Sequence, residues 1–264
     1  MAMNDPQHAP KKSLGQHWLE DKASLQAMCA AADLQSTDVV LEIGPGLGAL
    51  TALLAEQVAA VVAVELDDRL AADLADRVPA DNVQVVHQDI LRYDLTRLPP
   101  DYKVVANIPY YLTSHLIRIL SETPNQPARA VLLVQKEVAE RIVANPGALT
   151  LLGVLAQFYW EVGLADEVPA QLFTPPPKVD SQIVVLTRRP EPLFPGIDSD
   201  LFFRLAKAGF AQRRKTLLNA LSAGLHLSRE QVEVLCGEAR IDPERRAQTL
   251  SLEEWHLLCR AYHP

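Results

Sequence analysis

No apolar run in this chain approaches the ~20 residues needed to cross a bilayer, so a membrane-spanning protein is not expected. The opening stretch MAMNDPQHAPKKS is polar and lacks the apolar core of a secretion signal, which makes a cytoplasmic location the expectation. Cysteine is scarce. Cys29, Cys236 and Cys259 are odd in number, widely separated and without metal-type spacing. That excludes a disulfide framework, fits a reducing compartment and gives no expectation of a metal. There are no internal repeats and no low-complexity tracts. Positive charge is also in deficit: the net charge of −8 argues against a uniformly basic nucleic-acid binder.

Distribution matters more than the sum. From Leu201 to Leu221 the only charged residues are Arg204, Lys207, Arg213, Arg214 and Lys215, all positive. An acidic protein with one concentrated basic stretch can still steer a polyanion to one face. The chain's 264 residues, 48% hydrophobic and 22% charged, are ordinary for a soluble globular protein. The length suits one large domain with a small appendage.

Along the chain, DVVLEI (38–43) runs into GPGLG, and ALTALLAEQV then takes helical spacing. VVAVEL is a second buried strand, followed by the amphipathic DRLAADLADRV. NVQVVHQD, KVVA and RAVLLVQ are expected as the third, fourth and fifth strands; VLAQFYWEV and SQIVVLTRR close a series of seven. Strands alternating with helical segments predict an α/β domain with a mostly parallel sheet. The last two strands leave no room for a helix between them, so they are expected to pair antiparallel at one edge. After Arg189 the Pro-bearing RPEPLFPGID leads into a helical remainder. There Ser228 with Gln231, and Ser251 with Glu254, match capping boxes. The expected organisation is a catalytic domain over 1–189 and a small all-α domain over 190–264.

EIGPGLG (Glu42 to Gly48) sits between the first strand and the first helix, at the sheet edge where ligands collect. Glycines there let the backbone approach a ligand closely. Glu65, about 20 residues on, is placed to accept hydrogen bonds from ribose hydroxyls. Two ligand classes share this arrangement. Gly44, Gly46 and Ala49 nearly satisfy the dinucleotide pattern, while S-adenosylmethionine has no pyrophosphate to seat and needs no third close glycine. Asp89, ending the third strand in VVHQDI, stands where a carboxylate can accept from an adenine amine; the three together suit the methyl donor better. His87 reads as a strand residue rather than a base.

NIPYYLTS (107–114) follows the fourth strand, at the same edge. As a plain turn it needs the Asn or the Pro but gains nothing from two tyrosines. As a clamp for a flipped-out adenine, Asn107, Ile108, Pro109 and Tyr110 each have a use. The Asn107 oxygen can accept one hydrogen of an exocyclic amine. The Ile108 carbonyl can accept the other, with Pro109 biasing Ile108 toward an extended conformation. Tyr110 can stack on the base. Moving a methyl from a sulfonium to an amine needs geometry more than acid–base help.

In this order EIGPGLG, VELD, QDI and NIPYYLTS resemble the ribosomal RNA adenine N6-dimethyltransferase family. KKSLGQHWLED (11–21) is similar to its N-terminal cofactor-lid segment, and FTPPPKVDS (Phe173 to Ser181) to its F-x-P-x-P-x-V-x-S motif. FAQRRKTLLNAL (Phe210 to Leu221) resembles the RNA-contacting helix of the branch that modifies small-subunit rRNA. The resemblance implies a Rossmann-like class I S-adenosylmethionine-dependent methyltransferase with a seven-stranded, mostly parallel sheet and a small C-terminal all-α domain. It implies transfer of two methyl groups to each of two adjacent adenosines in a hairpin loop near the 3′ end of 16S rRNA, in the small subunit or its precursor. His17, Leu19, Gly44, Glu65, Asp89 and Asn107 are the implied cofactor contacts. His17 departs from the Asn common in the family, and Trp18 stands where Phe is common.

Other readings compete at particular residues. Phe173 sandwiches the target base with Tyr110, or is simply a core ring. Arg213, Arg214 and Lys215, with Arg204, Lys207, Lys11 and Lys12 beside them, contact phosphates, or form an ordinary solvated face. His226, Trp255 and His256 read as structural. For the whole chain the competitors are a nicotinamide-dependent oxidoreductase, the sister branch acting on large-subunit rRNA, and a ribosome-assembly factor without chemistry. Nothing resembles a dimer seam, so a monomer is expected.

Overall fold

The computed structural model describes residues 10–11 and 14–263, so Lys12 lies outside the described residues. In chain order the elements are β1 (Trp18–Leu19), α1 (Lys22–Ala31), β2 (Val39–Ile43), α2 (Ala49–Ala55), β3 (Ala60–Glu65), α3 (Asp68–Arg77) and β4 (Val83–His87). There follow β5 (Lys103–Asn107), α4 (Thr113–Glu122), β6 (Arg129–Gln135), α5 (Lys136–Ile142), α6 (Leu151–Tyr159) and β7 (Trp160–Val168). The last are β8 (Phe173–Thr174), β9 (Ser181–Arg188), α7 (Ser199–Phe210), α8 (Leu217–Leu225), α9 (Arg229–Glu238) and α10 (Leu252–Ala261).

The chain forms two compact units. One runs to Ala139 and resumes over Glu161–Arg188; the other takes Glu140–Trp160 together with Arg189 onward. The composition change near Arg189 coincides with a unit boundary. Residues 140–160, which the sequence reading kept in the first domain, belong with the helices instead.

In the first unit, seven strands make one sheet in the order β4-β3-β2-β5-β6-β9-β7. The pairs β2/β3, β2/β5, β3/β4 and β5/β6 are parallel, and β9 runs antiparallel to β6. Val104, Val105 and Ala106 of β5 are completely buried, as are Ala130 through Val134 of β6. Such unbroken apolar strands arise when helices cover both faces of a parallel sheet. Strand order reverses beside β2: the chain moves outward to β4, then returns to β5. That reversal opens a crevice at the carboxyl ends of β2 and β5, the place where ligands bind in open α/β sheets.

One element corrects the sequence reading. VLAQFYWEV was expected as a strand, but Leu151–Tyr159 is a helix and the strand begins at Trp160. The Thr150 side chain caps the helix by accepting from the Gly153 amide at 3.1 Å, as an N-cap does. The apolar run that suggested a strand is a helix whose Val154 and Phe158 are buried.

The second unit has its own core. Phe158 packs against Phe202 and Phe203 with ring centroids 4.7 and 5.1 Å apart. Trp255 is fully buried, and a Cβ on Gly209 would lie 2.4 Å from its ring, so α7 and α10 meet where only glycine fits. Both capping boxes form as the sequence predicts, Ser228 with Gln231 and Ser251 with Glu254. All three cysteines are buried and unpaired. Among the described residues no helix is long and apolar enough to cross a membrane, and no group of three or more His, Cys, Asp and Glu is arranged to hold a metal.

Candidate active site

The crevice beside β2 deepens into a cavity of about 200 Å³ lined by the glycine loop, the ends of β3, β4 and β5, and the segment from Leu14 to Glu20. His17, Leu19, Gly44, Glu65, Asp89, Asn107, Ile108, Pro109, Tyr110 and Phe173 all line it. Residues far apart in sequence are thus gathered around one space.

Local chemistry sets each of them. Gly44 has φ +67°, and a Cβ there would meet nothing within 4 Å, so its backbone is open to a ligand. Gly46, at φ +58°, has the opposite constraint: a Cβ would come within 2.8 Å of the Trp18 ring. The loop therefore lies tight under the N-terminal segment, and any side chain at residue 46 would lift Trp18. Glu65 is buried and accepts from the amides of Gly46 at 3.2 Å and Asp67 at 2.8 Å. Those bonds fix its carboxylate toward the loop, although burial raises its pKa. Asp89 caps a single helical turn by accepting from the Leu91 amide at 3.0 Å, which leaves its second oxygen for another donor.

A strap formed by residues 14–20 closes the cavity from above. Trp18 and Leu19 in β1 pair antiparallel with Thr174 and Phe173 in β8. His17 Nδ1 lies 2.6 Å from the Pro175 carbonyl oxygen. Lys11 does not join a basic surface. Its ammonium donates to Asp67 at 3.0 Å, and Gln16 reaches the same carboxylate at 3.4 Å. Asp67 is buried; the bonds from Arg69, then from Lys11, hold its pKa far below the usual carboxylate range.

At the end of β5, Asn107 Nδ2 donates to the His17 carbonyl at 3.5 Å. Its oxygen has no protein partner among the described residues, and the residue lines the cavity. Tyr110 is held by a 2.9 Å hydrogen bond between its hydroxyl and Ser181. The ring stacked against it is His17, at 6.0 Å between centroids and 21° between planes. Phe173 sits differently. It is only 3% exposed and packs in a core cluster with Leu19, Val131 and Ile183, while also lining the cavity. Phe173→Ala is accordingly expected to cost about 3–5 kcal/mol of stability, measured by urea unfolding. Lost methylation with an unchanged midpoint would instead favour a ring that stacks on the target base.

Sequence reading missed several cavity residues. Leu66 and Leu91 are large apolar side chains that line the cavity and are left 46% and 41% exposed. Their signal was only that Leu66 follows the end of β3 and Leu91 lies in the helical turn capped by Asp89. Glu42, the first letter of the glycine motif, is buried in the cavity wall with Oε2 unpartnered.

The basic residues lie in the second unit. Arg213, Arg214 and Lys215 are not on a helix as expected; they occupy the exposed turn between α7 and α8. No ion pair engages any of the three among the described residues. Arg204 and Lys207 are exposed on α7, with the Arg204 guanidinium 5.3 Å from the centre of the Tyr262 ring.

Comparison with known proteins gives concordant matches. A family profile described as "Ribosomal RNA adenine dimethylase" matches residues 7–263. A ribosomal RNA small subunit methyltransferase A from Dehalococcoides mccartyi is 44% identical over 256 residues, covering 96% of this chain and 88% of the relative. One from Moorella thermoacetica is 42% identical over 266 residues, covering 95% and 92%. Among solved structures, a dimethyladenosine transferase from Plasmodium falciparum superposes with a TM-score of 0.75 at 27% identity, covering 91% of this chain and 95% of that one. The 23S rRNA methyltransferase ErmE superposes with a TM-score of 0.74 at 28% identity, covering 92% and 98%.

Proposed function

The chain belongs to the ribosomal RNA adenine dimethylase family and is an S-adenosylmethionine-dependent rRNA adenine dimethyltransferase, and from that premise we propose that it acts on the small subunit. Its product on this reading is N6,N6-dimethyladenosine at two adjacent positions of the hairpin loop near the 3′ end of 16S rRNA, as a step of small-subunit biogenesis. The relatives at 42–45% identity, all named for the small subunit, support that branch over the one represented by ErmE. The FAQRRKTLLNAL segment supports it as well.

The cavity's residues fit the methyl donor. Gly44 offers open backbone, Glu65 a fixed carboxylate for ribose hydroxyls, Asp89 a free oxygen for the adenine amine, and Leu66 and Leu91 apolar flanks for a flat ring. Bound there, S-adenosylmethionine supplies an activated methyl on a sulfonium. His17 and Leu19 hold the roof.

One observation supports the catalytic assignment: Asn107 lines the cavity, its amide nitrogen donates to the strap, and its oxygen has no protein partner among the described residues. That oxygen accepts one hydrogen of the target amine, and the Ile108 carbonyl accepts the other. Two acceptors draw the nitrogen toward tetrahedral geometry and aim its lone pair. Pro109 keeps Ile108 extended, and Tyr110 stacks on the base. Phe173 forms the wall behind that space from the core side. Arg213, Arg214 and Lys215, with Arg204 and Lys207, bind backbone phosphates. The protein works on this reading as a monomer in the cytoplasm.

Labelled S-adenosylmethionine supplied with under-methylated small subunits, and with large subunits in parallel, tests the reading. Dimethyladenosine mapped by mass spectrometry to the small-subunit rRNA is expected. Label confined to large subunits would move the chain to the other branch.

A further inference from the structure

NIPYYLTS holds two consecutive tyrosines, and the target-base reading uses only the first. The structure treats them differently. Tyr110–Leu112 form a single 3₁₀ turn, in which about three residues complete a revolution. Consecutive side chains therefore take separate sectors about its axis. Leu112 is buried, Tyr110 is half-buried with its hydroxyl held by Ser181, and Tyr111 is 60% exposed.

A scattered exposed ring needs no explanation, but this one is not scattered. Tyr111 lines the same cavity as Asn107 and Tyr110. Of the large apolar side chains left exposed among the described residues, it is the only aromatic. Its ring rests on the strap at Gly15, where a Cβ would meet the ring's Cδ1 and Cε1 at 3.6 Å. Gly15 has φ +63°, in the left-handed region that favours glycine, so the strap presents bare backbone to the ring. The Tyr111 hydroxyl has no hydrogen-bond partner, and the ring no aromatic neighbour, among the described residues. The fold supports the ring from one side and makes no other use of it.

We propose that Tyr111 is a stacking platform for the base next to the target adenine, a second base site beside the first. It rests on the reading that Asn107 and Tyr110 hold the target base. Drawing one base out of a strand breaks a stack with two partners: the target loses its neighbour, and the neighbour is left with a bare face. Tyr110 compensates the target. The neighbour needs another π face, close to the first because one phosphodiester linkage joins the two nucleotides. Tyr111 supplies it, with its Cα only about 3.8 Å from that of Tyr110. Its separate sector on the turn keeps the two bases apart, where a shared one would let them restack. Stacking of this kind accepts any base. The site therefore selects an unpaired neighbour rather than a particular letter, as a target in a hairpin loop requires.

The test uses the full-length protein and under-methylated small subunits. With p-azidophenylalanine in place of Tyr111, irradiation of the complex in the presence of S-adenosylhomocysteine is expected to crosslink the nucleotide adjacent to the methylated adenosine, mapped by reverse-transcription stops. Tyr111→Ala is expected to lower kcat/KM for the subunits about 5- to 150-fold, the worth of one base–aromatic stack, with the cofactor Kd within about twofold of the wild type. Tyr111→Phe keeps the stacking face and is expected to recover most of that loss. A crosslink on the target adenosine itself, on ribosomal protein alone, or nowhere would overturn the second site, and so would an unchanged kcat/KM in Tyr111→Ala. Cofactor affinity that falls as far as kcat/KM would make Tyr111 an anchor for the strap at Gly15, which also overturns it. The wild type separates these outcomes from the reading beneath them. Label confined to large subunits would overturn the small-subunit assignment alone, and the same measurements on large subunits would then decide the platform. No methyl transfer to either subunit would sink both.

Discussion

Replacing Asn107 with alanine is expected to slow methyl transfer by about 10²–10³-fold while changing cofactor affinity less than about tenfold. The asymmetry comes from what each atom of the side chain does. The amide nitrogen reaches the strap through one long 3.5 Å hydrogen bond, and losing it loosens the roof only modestly. The oxygen has no protein partner among the described residues, so its use arises when the target amine is present. An acceptor placed where the reacting nitrogen must lose planarity contributes in the transition state more than in the ground state. Single-turnover rates under saturating cofactor, beside dissociation constants for the cofactor, separate the two. A rate that falls only as far as cofactor binding does would mean that Asn107 serves the strap alone. Asn107→Asp sharpens the comparison, because it keeps an acceptor oxygen and replaces the nitrogen that donates to His17.

Replacing Arg213, Arg214 and Lys215 together with alanine is expected to weaken RNA binding about a hundredfold at 0.15 M salt. Three phosphate contacts, each with a salt slope of about 0.7–0.9, give that loss, and the log–log slope should become shallower by about two to three. The position of the triplet supports a large effect. It lies in an exposed turn, and folding consumes none of the three charges in an ion pair among the described residues. Surface positions of this kind contribute little to stability, so the melting temperature should stay close to that of the wild type. Filter binding to the RNA across a salt series, alongside a melting curve, measures both. Unchanged affinity and slope would return the triplet to an ordinary solvated face.

Much of the fold can be read from the chain because its signals are local. VVAV in β3 and VVA in β5 are uninterrupted apolar runs, which the parallel sheet imposes by burying both faces of each strand. The two capping boxes carry their meaning within four residues. Where meaning depends on packing, reading fails. VLAQFYW is apolar whether it is a helix or a strand, and periodicity alone does not separate the two; burial of Val154 and Phe158 among the helices decided it. β7 itself, WEVGLADEV, has charges scattered along an edge strand and gives almost no pattern. The assignment of residues 140–160 to the helical unit is likewise a property of three-dimensional packing.

The site divides in the same way. Gly44, Glu65, Asp89 and Asn107 stand at strand ends, where topology alone brings them together. Glu42 carries no local signal, since its letter in EIGPGLG looks like any strand residue until its burial is seen. Phe173 could be assigned to the pocket by its motif, yet its burial in the core followed only from its pairing in β8 with the strap.

That pairing also bears on the order in which the molecule is assembled. His17 and Pro175, joined across the roof, are 158 residues apart in sequence, whereas the parallel strands beneath them pair over much shorter spans. Contacts of such long range are costly in loop-closure entropy and form late. During synthesis, β2 to β6 have left the ribosome well before Phe173, Thr174 and Pro175 follow. Through that interval the strap has no β8 to pair with. The parallel strands β2 to β6, the glycine loop and Asn107 are made before the cavity has a roof, and the protein becomes able to enclose a ligand only after β8, well past the middle of its chain, has been made.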